Sequence, residues 1–541
     1  MTPFDLLRLW LRRASTAERT TSAVAAVIAV VLFSYLVAPV GSGSVTDTLQ
    51  SSDGGGAITS GGSNPSTPNQ SSSGASGTGA SGTGASGTGS TSGSGSTSGT
   101  GSSGTASSGT GSTGGTGSSG TGTSGTGSTA GPTRSCPPTV DQGITASEIK
   151  IAVTIINIAG AAGGNTAINV PSIKEQQQDW EYVRDSVNAS GGAACRKLSL
   201  SFYQVNPVDP TDTQIKCQSM ADGKPFLALD TGALTGGLGS ADCLPQAKVP
   251  LISTYLGVDQ LKKYYPYYIS PGDIVDNVVR NGILGLKQNG YFSAAKGFKK
   301  LGVLFYSCQA GPVNAMKKAL TEAGIGASQQ VVYDMGCPPG GQYSAADYQQ
   351  AVLAFKNAHA DHVTYSGNGG KFADFTAAAN QQGYKPQYVA ADSALPSAAG
   401  TNGASPANLD GAVDGVGGRY AEESTPRYQP SEGTAKCNAI FAAKGRPPVY
   451  KQGVGYGGVV CHNLFFVVQL LNHAPRLQRS ALVSGMHSIG FYPGSYPFGQ
   501  INFSGAPAGA AYGAGYWRIV KYFKSCTCWN VLDPTWHPKF P

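Results

Sequence analysis

Chemistry in this sequence could be done where polar or glycine-bearing loops follow directly on apolar runs. The first such place ends residues 148–164. There Ile149, Ile151, Val153, Ile155 and Ile156 give way to Asn157 and the turn Gly160-Ala161-Ala162-Gly163-Gly164. A run that is apolar rather than alternating suits a parallel strand covered on both faces. Ligands of open α/β sheets bind just beyond such strand ends. Four further loops share the form: Asp230-Thr231-Gly232 after 225–229, Tyr255-Leu256-Gly257 after 249–254, Tyr365-Ser366-Gly367-Asn368 at the end of 362–365, and Ala391-Asp392-Ser393 at the end of 388–391. The loops at Asp230 and Tyr255 would offer backbone N–H groups to a ligand carboxylate, with a helix N-terminus adding a favourable field. A purely structural role in the turn competes with ligand contact at each residue.

Other chemistries lack support. Gly453-Val454-Gly455-Tyr456-Gly457-Gly458 satisfies G-x-G-x-x-G. A dinucleotide loop needs a buried strand before it, and Arg446-Pro447-Pro448-Val449-Tyr450-Lys451 is not one. The glycines read instead as the approach to a core helix at 459–471. No G-x-S-x-G elbow occurs in the folded region, and the carboxylates are scattered, so no enzyme is expected. All ten cysteines lie at or beyond Cys136, an even number that points to disulfides in an exported chain. Cys526-Thr527-Cys528 has no second pair at matching spacing, and His359-Ala360-Asp361-His362 is a weak ligand pair, so neither metal nor cofactor is expected. The formal charge of +7 comes without a basic cluster interleaved with aromatics, which argues against nucleic acid.

The elements that must position these loops begin after a long preamble. Residues 1–21 are basic, with Arg8, Arg12, Arg13 and Arg19 outnumbering Asp5 and Glu18, and 22–40 carry no charge. That apolar run approaches the ~20 residues of a spanning helix and predicts a single-pass signal anchor with a cytoplasmic N-terminus. A cleaved signal peptide, leaving a secreted chain, is the rival reading. Residues 71–130 contain only Gly, Ser, Thr and Ala; they can bury too little to offset their conformational entropy, so 41–135 reads as a disordered tether. Its r.m.s. span would be roughly 50–60 Å.

From residue 136 onward a strand–loop–helix unit recurs about every 25–45 residues, the rhythm of a parallel sheet with right-handed crossovers. Helices are expected at 171–188 and 212–222, with strands at 198–205, 225–229 and 249–254. A second series opens with a helix at 274–289. It continues through strands at 300–307, 330–333, 362–365 and 388–391, separated by helices at 313–323, 348–358 and 372–382. Two consecutive lobes follow. Cys308 and Cys337 each fall just past a strand on the same sheet edge and could pair. Cys217 and Cys243 flank the strand 226–229, and Cys437 and Cys461 lie on successive helices. The partners of Cys136, Cys195, Cys526 and Cys528 stay open.

In this register the sequence resembles a known family. Ile144-Thr145-Ala146-Ser147-Glu148-Ile149-Lys150-Ile151-Ala152-Val153-Thr154 is similar to the opening strand of type I periplasmic solute-binding proteins, the branched-chain amino-acid and amide group. The segments 249–254, 300–305, 377–386, 409–416 and 455–460 resemble later landmarks, so the likeness covers 139–521. It implies a two-lobed α/β fold, each lobe a parallel sheet flanked by helices, closing on a ligand about three hinge crossings. Lobe one would hold 136–270 and 421–497, lobe two 271–420 and 498–541. The function implied is extracytoplasmic capture of a small polar solute of amino-acid or amide type for an ABC permease; a membrane-tethered sensor or surface interaction domain is the alternative. In amino-acid-binding relatives an acidic residue at this second-lobe strand end holds the ligand's ammonium group. Asp392 stands there, and Tyr365 would pack beside the ligand. Two departures are plain: an apparent membrane helix and tether replace the usual lipid anchor, and Ile156-Asn157-Ile158-Ala159-Gly160 replaces the usual Leu-Ser/Thr-Gly step.

Overall fold

The structure, a computed structural model, describes residues 136, 141–158, 170–237, 239–366, 369–391, 405–426, 428–451 and 455–541. The expected membrane segment 22–40 and tether 41–135 lie outside the described residues. Among the described residues no helix is long and apolar enough to cross a membrane.

The first sheet is built from β1 (Glu148–Ile156), α1 (Ile173–Ala189), β2 (Lys197–Val205), α2 (Pro210–Asp222), β3 (Leu227–Asp230), β4 (Leu251–Ser253), α3 (Val258–Lys263) and β5 (Tyr268–Ile269). Its strands run parallel in the order β2-β1-β3-β4-β5. β1 lies between two neighbours and is buried along most of its length, which is why its sequence does not alternate. β2 is the edge strand, and its Leu-Ser-Leu-Ser pattern matches its half-covered position. α1 starts at a capping box in which Ser172 and Glu175 satisfy each other's backbone N–H groups. It then turns Trp180, Val183 and Val187 inward at helical spacing.

The second lobe runs α4 (Val275–Gln288), β6 (Leu301–Phe305), α5 (Ala310–Glu322), β7 (Gln330–Asp334), α6 (Ala345–Asn357), β8 (His362–Ser366), α7 (Gly369–Gln381), β9 (Gln387–Ala390) and β10 (Val413–Val416). The chain then returns to the first lobe as α8 (Glu432–Ala442) and α9 (Tyr456–His473), whose Cys437, Phe441, Val460 and Leu464 share a buried core with Trp180 and Val183. α9 begins at the glycine run as expected. A Cβ on Gly458 would fall 1.7 Å from the Tyr496 carbonyl oxygen, so that glycine serves close packing. Finally β11 (Phe491–Tyr492), β12 (Ile501–Asn502), β13 (Ala514–Phe523), β14 (Cys528–Val531) and β15 (His537–Pro538) complete a ten-stranded sheet ordered β11-β12-β13-β10-β9-β8-β6-β7, with β14 and β15 on β13. α4 can lie against β10 only because both lack side chains at the crossing: a Cβ on Gly282 would sit 2.5 Å from the Gly415 oxygen.

One boundary differs from the expected break at 497–498. β11 already joins the second sheet at 491–492, yet the side chains of Tyr492, Tyr496, Ile501 and Phe503 bury in the first lobe's core. Backbone pairing and side-chain burial pull the segment 491–503 toward different lobes, so the third crossing is woven into both.

Five disulfides form. Cys217–Cys243, Cys308–Cys337 and Cys437–Cys461 pair as the sequence suggested, with Cα separations of 6.0, 4.7 and 5.9 Å, inside the usual range of roughly 4.4–6.8 Å. Cys136–Cys195 and Cys526–Cys528 are the two that sequence left open. Cys437–Cys461 ties α8 to α9 across 24 residues. Replacing both by alanine is expected to cost about 3–4 kcal/mol through the freed chain entropy. Urea unfolding under oxidising conditions checks this, and an unchanged midpoint would show that packing alone holds α8.

Candidate functional site

The carboxyl ends of the two sheets face one another. Gln309, the residue before α5 and just past β6, donates its side-chain amide to the Gly236 carbonyl in the loop after β3, at 3.4 Å. The loops after β3 and β6 therefore meet at the border between the two lobes.

On the first lobe that border is held by a chain of buried donors and acceptors. Trp180 Nε1 donates to the Tyr456 hydroxyl at 3.1 Å, which in turn contacts Thr231. Thr231 Oγ1 lies 3.3 Å from Thr154 Oγ1, and Thr154 donates to Asp230 Oδ1 at 2.9 Å. Asp230 also accepts from Leu234 N–H, from Thr235 N–H and hydroxyl, and from the Ser253 hydroxyl. One side chain thus gathers hydroxyls from β1 and β4 and folds its own loop back over the strand ends. Burial pushes the Tyr456 phenol up, so it stays a neutral link in the chain. Gln176 fixes the neighbouring strand end by accepting from Ile156 N–H at 2.9 Å and donating to Ile156 O at 2.8 Å.

These facts sort the expected residues. Asp230 and Thr231 brace the loop from within, Asp230 being fully buried. Gly232 sits at φ +95 beneath the Tyr255 ring, where a Cβ would come within 2.7 Å of the aromatic carbons. Tyr255 keeps 53% of its surface exposed at the sheet edge, an aromatic shelf over that glycine. Leu256 is a core residue, fully buried. The amide expected to meet a ligand carboxylate at Gly257 is already taken, donating to Gln260 Oε1 at 3.0 Å; the next one, Val258 N–H, donates to Asp276 Oδ2 at 2.9 Å. Asn157 is tied to β2, its N–H to the Val205 carbonyl and its amide to Gln204.

On the second lobe Tyr365 does not line the cleft. It is fully buried and stacks on Phe372 with ring centroids 4.2 Å apart. Ser366, at the end of β8, is 2% exposed, and its hydroxyl has no hydrogen-bond partner among the described residues. Asn368, Asp392 and Ser393 lie outside the described residues.

Sequence reading missed Thr254. Its hydroxyl oxygen is buried at the carboxyl end of β4 with no partner among the described residues, between Ser253, which bonds to Asp230, and the exposed Tyr255. The available signal was the polar Ser-Thr ending of the run 249–254; starting the loop at Tyr255 passed over it. Buried hydroxyls are normally paired, which sets Thr254 apart from Ser253 and the other bonded hydroxyls around Asp230.

Comparison with known proteins follows the same lines. Residues 181–522 match the periplasmic binding protein family. The structure is similar to that of a branched-chain amino acid ABC transporter protein from Thermus thermophilus with bound valine, at 15% identity and TM-score 0.52, covering 73% of this chain and 97% of that one. It is also similar to a branched-chain amino acid transporter substrate-binding protein from Streptococcus pneumoniae in complex with isoleucine (15% identity, TM-score 0.51, 73% of this chain and 100% of that one). A leucine-binding protein from Thermotoga maritima gives 13% identity and TM-score 0.51 over 71% of this chain and 98% of that one. At such identities the likeness speaks for the fold. No curated protein matches the chain.

Proposed function

The chain belongs to the periplasmic binding protein family, and from that premise we propose that it captures a small amino-acid- or amide-type solute between its lobes and presents it to an ABC permease. The observation that carries this reading is the Thr254 hydroxyl, buried yet without a partner among the described residues, beside the Tyr255 shelf and the loop braced by Asp230. A carboxylate is the fitting acceptor for such a hydroxyl, and the similar proteins from Thermus thermophilus and Streptococcus pneumoniae hold valine and isoleucine. Asp392, two positions past β9 in the sequence, is the proposed partner for the solute's ammonium group. The segment 22–40 is the proposed anchor that keeps the binding unit at the outer membrane face; membrane fractionation of the full chain with and without 22–40 tests it.

Native mass spectrometry of the purified chain should reveal a retained solute, and calorimetry with leucine, isoleucine, valine and their amides should rank the class. Thr254→Val is expected to weaken binding by about 1.5–3 kcal/mol, the worth of a hydrogen bond to a charged group, with little change in thermal stability. Equal affinity in the variant removes Thr254 from the site. Failure of every amino acid and amide to bind leaves the solute-class reading untenable.

A further inference from the structure

The disulfide Cys526–Cys528 is unlike the other four in what it connects. Those close 24 to 59 residues of chain and join different elements, whereas this one spans two positions at the tip of a hairpin. The hairpin is already held by four register pairs, from Val520↔Val531 to Phe523↔Cys528. A bond that closes so short a loop adds the least chain-entropy stabilisation of the five. Cys526 is exposed and Cys528 half-buried. Exposure alone does not single it out, because Cys136 and Cys195 are exposed too, and Cys195 itself has φ 62; the type of residue held at positive φ does.

Thr527, enclosed by the bond, has φ 52. Seven described non-glycine residues have positive φ, and Thr527 is the β-branched one among them. Left-handed backbone is a genuine outlier for a β-branched residue, and such outliers persist only where the surroundings impose them. Thr527 N–H also closes the turn onto the Lys524 carbonyl at 3.1 Å, so opening the bond releases one of two constraints on this backbone. Lys524, exposed and two residues before Cys526, brings a cation to the tip, which favours the thiolates that opening produces, while the Asp410 carboxylate that accepts from the Lys524 N–H at 3.0 Å opposes it. The tip also lies away from the solute cleft. β13 runs antiparallel to β10 with Val416↔Arg518 at the cleft end and Val413↔Lys521 at the other, so the chain past Lys521 leaves the sheet on its far edge.

We propose that Cys526–Cys528 is a reversible exchange site for external dithiols, a redox function separate from solute capture, the other four disulfides being structural. A thiolate of the external dithiol attacks Sγ of Cys526, forming a mixed disulfide; the Cys526–Cys528 bond breaks and Cys528 leaves as a thiolate that takes a proton from water. The second thiolate of the same dithiol then attacks its partner's sulfur in the mixed disulfide and releases the Cys526 thiolate, which is protonated in turn. The hairpin has gained two electrons and two protons, and the dithiol has become a disulfide.

The test equilibrates the folded, oxidised full chain with graded ratios of reduced to oxidised dithiothreitol, followed by differential alkylation and peptide mapping. Cys526–Cys528 should reach half-reduction at a ratio at least about tenfold more oxidising than any other pair requires, and should re-form when the ratio is restored. Co-reduction with the other bonds, or later reduction, overturns the proposal. In Thr527→Gly, where φ 52 carries no steric cost, the midpoint should move several-fold toward more reducing ratios. An unmoved midpoint would overturn the backbone constraint as the origin of the lability.

Discussion

Acidification from pH 6.5 to about 3 is expected to remove about 4–5 kcal/mol of stability through His462 alone. This residue of α9 is fully buried. Its Nε2 donates to the Pro271 carbonyl at 3.1 Å and its Nδ1 accepts from Ser495 N–H at 3.4 Å. Pro271 stands on the first crossing between lobes and Ser495 on the third, so one neutral imidazole joins both to the first lobe. Burial lowers its pKa from 6.5 to about 3, reinforced by the nearby Arg419 cation and opposed by the Pro271 carbonyl. The sign follows from proton binding. Between the two values the unfolded chain takes up a proton that the folded protein refuses, so stability is complete above pH 6.5 and falls as pH drops toward 3. Protonating the folded ring would also set a second N–H against Ser495 N–H. Urea unfolding of wild type and His462→Gln at pH 7, 5 and 4 measures the difference. The wild type should show the steeper loss, by close to one proton; parallel pH profiles would remove His462 as the source.

Glu422→Gln is expected to cost about 3–5 kcal/mol, the usual penalty for leaving a buried charge without its partner. Glu422 Oε1 lies 3.1 Å from Arg419 and 2.7 Å from Arg518, and all three side chains are under a tenth exposed. Trp536, from the C-terminal tail, covers the two guanidinium groups, with its ring centroid 5.5 Å from Arg419 and 4.0 Å from Arg518. Without the carboxylate, two cations would face each other out of water. Burial already holds the Arg518 pKa below its ordinary value. The cluster also binds crossings together: Arg419, on the second, donates to the carbonyls of Pro493 and Pro497 on the third. Denaturant titration checks the loss. Replacing the whole triad with Arg419→Met, Glu422→Leu and Arg518→Met should recover much of it, because desolvation then no longer opposes folding. A Glu422→Gln protein as stable as wild type would show that the arginines find other acceptors.

Much of the fold was legible because its signals are local. The unbroken apolar run of β1, the alternation of β2 and the spacing of Trp180, Val183 and Val187 report how each element is covered. Coverage is a property that a stretch of ten or twenty residues can display. Three disulfides were legible for the same reason, since each joins successive helices or the ends of successive strands in the strand–helix series.

The residues of the site were less so. Sequence determined that loops would end β3, β4 and β8 at one edge. Only the tertiary structure decided that Asp230 turns inward to brace its loop, that the Gly257 amide is spent on Gln260, and that Tyr365 stacks in the core while the Thr254 hydroxyl is left over. Each of those outcomes depends on which partner reaches a donor or acceptor first. The partner is often remote in the chain, as Pro271 is from His462, at 191 residues. Period-two alternation assigns side chains to faces of a strand. It does not say which polar group at the strand's end will remain unsatisfied, because hydrogen bonds are settled over the whole packed structure.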